Sequence, residues 1–164
     1  NPLAHIDLIG TVVLPLIGIF GGIPLIGWAK PVMINPANLP KVSDRSWVTI
    51  AGPGMNLILA LLAAVALGLS LRFFPNTEFA ELLGLILQIN VGLMVFNLLP
   101  VPPLDGSKFL MYWFGMSEET YVRFSQFGWI ILMVMINLPY TRGFLRWLIE
   151  AALNPFFTIT SLFA

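Results

Sequence analysis

The stretch "FNLLPVPPLDGSK", Phe96 to Lys108, ends a long apolar run with three prolines and a carboxylate, Asp105. Asn97 lies about one helical turn inside that run. A second apolar run carries Asn56 near its start, four residues after Gly52 and therefore on the same helical face. Polar groups inside a membrane are costly and are typical of functional sites. If the two runs are antiparallel helices, one carboxylate and two amides meet at a shallow depth and could form a site.

Each of these residues also has a purely structural interpretation. Asp105 could cap the N-terminus of a short helix that follows a Pro-rich turn. Gly52 and Gly54 could form a face on which another helix packs closely. Asn97 and Asn90, seven residues apart, could form hydrogen bonds between helices. The spacing alone does not decide between these alternatives and a site.

The composition predicts that lipid surrounds most of the side chains. The chain has 164 residues, of which 58% are hydrophobic and 10% are charged, and its mean hydropathy is +0.89. Soluble domains carry about 25% charged residues, so this chain has too few to cover a surface in water. Eight basic and eight acidic residues give no basis for binding nucleic acid. The absence of cysteine excludes disulfides and cysteine-based zinc sites.

Windows without charged residues divide the chain into predicted membrane segments. The windows 46–71 and 82–104 exceed the ~20 residues that a spanning helix needs, and we predict helices over 48–72 and 79–99. The window 124–141 predicts a further, shorter span. Residues 144–164 predict an amphipathic or partly buried helix that ends near Leu153.

The first apolar segment, residues 8–29, is interrupted by prolines and glycines and is too broken for a straight spanning helix. We therefore predict a short re-entrant or extended segment near residues 20–36, with a kinked full span as the alternative. The predicted fold is an all-α polytopic membrane protein with three to five transmembrane or membrane-embedded helices. Residues 1–164 form one membrane domain, in which 1–47 is the re-entrant or extended region, 48–115 carries the motifs and 116–164 forms C-terminal helices.

Basic residues give the predicted orientation. The loops 29–47 and 100–123 lie on one side in this topology. That side carries five basic residues: Lys30, Lys41, Arg45, Lys108 and Arg123. The other side carries Arg72 and Arg142, with Arg146 near the interface. Because cytoplasmic loops are enriched in Lys and Arg, we predict that the loop bearing Asp105 is cytoplasmic.

Four motifs, "NPLAHID", "GWAKPV", "AGPGMN" and "FNLLPVPPLDG", stand in an order and at separations that resemble the site-2 protease family of intramembrane zinc metalloproteases. The likeness is to the compact prokaryotic members and covers the chain to about residue 115. The resemblance implies that Asp105 is a zinc ligand and that Gly106 belongs to the same "LDG" motif. It implies that the motif from Gly52 to Asn56 packs the core helices and presents its amide, and that Asn97 holds substrate backbone or the developing oxyanion.

This resemblance also implies a function and a location. The expected activity is zinc-dependent cleavage of transmembrane protein substrates, as in regulated intramembrane proteolysis. Zinc lowers the pKa of bound water to about 7, and neutral amides can stabilise an oxyanion without adding charge. "GWAKPV" is similar to the strand region that holds an extended substrate in the family. The expected location is a prokaryotic inner or cell membrane, where the protein contacts the lipid bilayer and could join a membrane complex.

One departure from the family pattern is large. The family's zinc needs two further histidines from H-E-x-x-H, whose Glu is the general base, and this chain contains no such motif and one histidine, His5. His5 is more typical of an interfacial or hydrogen-bonded histidine than of a ligand. We expect the general base upstream of Asn1, in a complete protein of which this chain is the C-terminal core. The alternative is a catalytically inactive homologue that serves as a scaffold or complex subunit. The chain alone is not expected to hold catalytic zinc.

Overall fold

A computed structural model describes residues 41–74 and 77–164, together with isolated positions 12, 13, 16, 17 and 20. The predicted re-entrant segment near 20–36, His5 and the motif "GWAKPV" lie outside these residues. Residues Lys41–Ala164 form one compact unit. Within the described residues the regular structure is helical, with no strand, which confirms the predicted all-α class.

Two long helices form the centre of this unit. Helix α1 is Val42–Phe73 and helix α2 is Glu78–Asn97, and both are long and apolar enough to cross a membrane. The Thr77 side chain caps α2 by accepting a hydrogen bond from the Ala80 N–H. Helix α1 begins several residues before the predicted start at 48. Asn56 therefore lies in the interior of α1, 14 residues after Val42, and not near the start of the helix as predicted.

Four further helices follow the Pro-rich stretch. They are α3 (Gly106–Trp113), α4 (Glu118–Gln126), α5 (Gly128–Asn137) and α6 (Pro139–Phe163). The prediction of one span over 124–141 is wrong, since α5 has ten residues, or ~15 Å, and cannot cross ~30 Å of hydrocarbon. Helices α5 and α6 meet at 85° and give a third span if the bent pair is counted as one.

Helix α6 also differs from the prediction, because it does not end near Leu153. It continues through Pro155 to Phe163. Proline removes one backbone hydrogen bond from a helix interior. Leu153 and Phe156 are buried on either side of Pro155, and their packing holds the helix across this position.

Two apolar clusters hold the helices together. The larger joins α1, α2 and α6, and its α2 members recur every three or four residues along one face: Ala80, Leu83, Leu87, Val91 and Val95. The smaller cluster contains Leu99, Leu104 and Leu132, with Leu145 of α6 packed against it. Many large apolar side chains elsewhere on α1 and α2 are exposed, as expected for helices that face lipid.

These contacts fix the direction of α6. Leu145 packs against the smaller cluster, which contains Leu99 and Leu104, whereas the Thr160 hydroxyl donates a hydrogen bond of 3.2 Å to the Ala64 carbonyl of α1. We call the end of α1 that contains Gly52 the motif end and the end that contains Gly68 the far end. Helix α6 begins at the motif end and runs to the far end. Arg142 therefore lies at the motif end, and its predicted placement on the opposite side is wrong.

Candidate active site around Asp105

Asp105 directly precedes α3 and has a helical backbone conformation, with φ −61° and ψ −36°. It occupies the N-cap position, but its side chain makes no capping hydrogen bond. One carboxylate oxygen, Oδ1, accepts a hydrogen bond of 2.9 Å from Lys108 Nζ. The other oxygen, Oδ2, is directed at α1, where a Cβ atom built on Gly52 would lie 3.3 Å away. The side chain is 31% exposed, so it is not turned fully to solvent. Because it makes no capping hydrogen bond, it does not cap α3 either.

Gly52 has no side chain, and this allows the Asp105 carboxylate to approach α1. Apart from its two chain neighbours and its own helix backbone, Oδ2 of Asp105 is the only described atom within 4 Å of the Cβ position. At Gly54 the corresponding neighbour is Ile50 of the same helix, at 3.9 Å. Neither glycine therefore carries a closely packed helix in the part of the chain that the structure describes. The close-packing role that the resemblance implies for this motif is not seen there, and Gly52 instead leaves room for a carboxylate.

The amides of Asn56 and Asn97 are candidates for contact with a ligand because they are not used within the described residues. Asn56 lies one turn beyond Gly52 on the same face of α1, and Asn97 is the last residue of α2. Both side chains are half-buried, and neither makes a hydrogen bond to the described residues. Asn90 differs from them, because its Nδ2 donates 2.8 Å to the Ile86 carbonyl of its own helix. The alternative that Asn90 joins two helices is not seen among the described residues.

The Pro-rich stretch before Asp105 is fixed by two glycines. A Cβ on Gly106 would overlap the Leu98 carbonyl, and a Cβ on Gly128 would overlap the Pro102 carbonyl. The "LDG" glycine thus lets the chain fold back onto the end of α2, while Gly128 lets α5 pack onto the stretch from the other side. The peptide bond between Pro102 and Pro103 is cis.

A buried hydroxyl connects the Asp105 turn to α4. Ser107 is fully buried, and its Oγ donates 2.6 Å to the Leu104 carbonyl and lies 3.0 Å from the Tyr121 hydroxyl. Ser107, Tyr121 and Gly128 were not predicted from the sequence. No local signal identifies them, since each acts through a contact with a residue far along the chain.

The described residues can supply part of a metal site. Among them, no three His, Cys, Asp or Glu side chains come together, and a catalytic zinc uses three protein ligands. Asp105 fits one ligand position, because Oδ2 accepts no hydrogen bond from this part of the chain and faces Gly52 of α1. Any remaining ligands would come from outside residues 41–164.

A separate groove lies between α2 and α6, with a volume of about 490 Å³. It is lined by Gln88, Arg142, Leu145, Arg146, Ile149, Glu150 and Leu153. None of these residues belongs to the Asp105 site, so the groove is a different surface of the molecule.

Comparisons with known proteins identify the family of the chain. Residues 74–138 match the family described as Peptidase family M50. The chain is 34% identical over 117 residues to "Putative zinc metalloprotease YwhC" of Bacillus subtilis, covering 67% of the chain and 50% of that protein. It is 29% identical over 154 residues to "Putative zinc metalloprotease Rip2" of Mycolicibacterium smegmatis, covering 92% of the chain and 56% of that protein.

The chain therefore spans about half the length of the curated relatives it matches. No solved structure matches it significantly. The matched family region contains Asn97, Asp105 and Gly106, the residues that the motif resemblance singles out. The chain belongs to the site-2 protease family, peptidase family M50.

Proposed function

We propose that the protein containing this chain is an intramembrane zinc endopeptidase that cleaves transmembrane protein substrates. The observation that carries this proposal is the direction of Asp105 Oδ2, which faces Gly52 of α1. The chain that holds this carboxylate belongs to a peptidase family. The names of the two relatives, both zinc metalloproteases, support the same chemistry.

The roles of the chain's own residues follow from their positions. Asp105 supplies one metal ligand through Oδ2. Zinc, when bound, supplies a water that is nucleophilic near neutral pH. The amides of Asn56 and Asn97 donate hydrogen bonds to substrate backbone or to the developing oxyanion. Since amides are neutral, they stabilise negative charge without placing a permanent cation in a low-dielectric site.

The proposal requires Asp105 for metal binding, and Asp105→Asn tests it because this change keeps the shape of the side chain while removing its charge. We expect the full-length protein with Asp105→Asn to lose zinc affinity by about 100-fold or more, since even outer-shell partners of a metal cost ~10–100-fold. Zinc per purified protein and cleavage of a transmembrane reporter in vesicles measure the two effects. Asp44→Asn, the same change in the first turn of α1, serves as the control. Asp105→Asn protein that keeps both zinc and cleavage would contradict the proposal.

We further propose that the motif end faces the cytoplasm of a prokaryotic cell. Among the described residues, the loops and helix ends at the motif end carry six basic residues: Lys41, Arg45, Lys108, Arg123, Arg142 and Arg146. Arg72 lies at the other end of α1. Because α6 begins at the motif end, Arg142 and Arg146 add to the excess of basic residues there, and such an excess is typical of cytoplasmic loops.

Because the chain has no cysteine, single substitutions can report this orientation. Phe114 is 82% exposed beyond α3, and Ala164 ends α6 at the far end. We expect an impermeant maleimide to label Ala164→Cys in intact cells and to label Phe114→Cys only after the membrane is opened. The opposite labelling pattern would refute the orientation.

A further inference from the structure

The two oxygens of the Asp105 carboxylate are not equivalent. Oδ1 pairs with Lys108 Nζ at 2.9 Å, and Oδ2 faces the Cβ position of Gly52 at 3.3 Å. Lys108 lies three residues after Asp105, in the first turn of α3, so both side chains stand on one side of that turn. The ion pair therefore fixes the carboxylate rotamer and leaves one defined oxygen directed at α1.

Stability does not account for this ion pair. The Lys108 and Asp105 side chains are 38% and 31% exposed, and exposed ion pairs contribute about 0–1 kcal/mol. Arg123 and Glu119 form a second pair at 2.6 Å within α4, with both side chains about three-quarters exposed. The two pairs are similar in kind, but only the carboxylate of Asp105 lies against another helix, at Gly52.

We propose that Lys108 is a positioning residue: it holds Oδ1 so that Asp105 presents Oδ2 alone toward α1 and toward the metal. The inference rests on the proposed function, in which Asp105 is a zinc ligand. Ligating carboxylates are commonly held by such outer hydrogen bonds, and loss of the outer partner weakens metal binding. Because Lys108 and the metal use different oxygens, they act together and do not compete for one atom.

The test measures zinc affinity of the purified full-length protein by competition with a chromogenic chelator. We expect Lys108→Met, which keeps most of the side-chain length but removes the donor, to weaken zinc binding by ~10–100-fold. Lys108→Arg restores the donor and is expected to recover most of the affinity. Arg123→Met breaks the other ion pair and is expected to leave zinc binding unchanged. Unchanged or tighter zinc binding by Lys108→Met would overturn the inference.

A double-mutant cycle separates this inference from the proposed function. In the Asp105→Asn background, Lys108→Met is expected to have no further effect, because the carboxylate that Lys108 positions is gone. If Asp105→Asn itself keeps zinc affinity, the proposed function fails. If Asp105→Asn loses affinity and Lys108→Met does not, only the role of Lys108 fails. Lys108→Leu also removes the donor, carries the same expectation as Lys108→Met and replaces it if that variant does not fold.

Discussion

Two glycines of α1, Gly52 at the motif end and Gly68 at the far end, perform different tasks on the same helix. A Cβ on Gly68 would overlap the Thr160 carbonyl and lie 2.7 Å from Phe163 Cβ, so two helix backbones are in close contact there. A Cβ on Gly52 would meet only a carboxylate oxygen among the described atoms outside its own helix backbone and its chain neighbours. Within the described residues, helix backbones are therefore in close contact at the far end, whereas at Gly52 of the motif end the neighbour is a side chain.

The difference shows how one residue type can permit backbone packing in one place and the approach of a carboxylate in another. At the far end, the Thr160 hydroxyl donates to the Ala64 carbonyl of the neighbouring helix and to the Phe156 carbonyl of its own helix. Small residues at a helix interface permit this approach in membranes. At the motif end, no comparable contact ties Asn56 or Asn97 to a neighbour in residues 41–164. Their polar groups are available because they do not hold the fold together.

The largest effect on stability is expected from Gly68→Ala. Its methyl group would overlap a backbone carbonyl that cannot rotate away, and overpacking costs about 1–3 kcal/mol. This cost opposes the roughly 1 kcal/mol that alanine gains over glycine in a helix. We expect a lower apparent unfolding temperature in detergent, measured against the parent protein.

Gly84→Ala is the matched control for this change. Gly84 lies within α2, and no described atom lies within 4 Å of its Cβ position. The same substitution there should keep the gain of about 1 kcal/mol in helix propensity without overpacking. If Gly68→Ala is as stable as Gly84→Ala, the far end is not closed by backbone contact and the contrast between the two ends disappears.

A smaller effect on stability is expected from Gly52→Ala. A contact of 3.3 Å with a side-chain oxygen requires a shift of a few tenths of an ångström, which the partly exposed Asp105 can make. We expect only a small decrease in unfolding temperature, because the roughly 1 kcal/mol gain in helix propensity is offset by the clash of a Cβ with the following Pro53 in helical backbone. Zinc affinity of the full-length protein should fall, since the methyl group moves Oδ2. A loss of stability equal to that of Gly68→Ala would show that Gly52 is also a packing glycine.

The central helices could be predicted from the sequence because their signal is local. The charge-free windows 46–71 and 82–104 correspond to α1 and α2. The earlier start of α1 was not predicted, because Asp44 and Arg45 are charged and lie outside the apolar window. Charged residues are nevertheless compatible with the first turn of a helix, where the structure places them. A window without charges marks the apolar part of a helix and not its ends.

The break in the window 124–141 could not be predicted from the sequence. Helix α5 begins at Gly128, whose missing side chain accommodates the Pro102 carbonyl from another part of the chain. The pairing of these two residues depends on tertiary contact and has no local pattern. The continuation of α6 through Pro155 has a similar cause, since burial of the flanking Leu153 and Phe156 outweighs the weak local preference for a helix end.

The site was predictable in outline. Motif order placed Asp105 near the helix of Gly52 and Asn56, and the structure places its Oδ2 directly opposite Gly52. The roles of Asp105, Asn56 and Asn97 in metal and substrate binding stay predictions. The partner of Oδ1 was not foreseen, because Lys108 was considered only as a basic residue of a loop. Rotamer choice depends on three-dimensional neighbours, which spacing does not reveal.

One side chain of α6, Leu148, packs against both apolar clusters, the one around Leu87 and the one around Leu132. The packing at the far end and the packing around the Pro-rich stretch therefore both depend on this one side chain. A substitution at Leu148 that altered zinc affinity would carry no information about the chemistry of the site, because the same change loosens the scaffold on which both ends are built. Substitutions that separate scaffold from chemistry belong at Gly52 and Gly68, where each end can be altered alone.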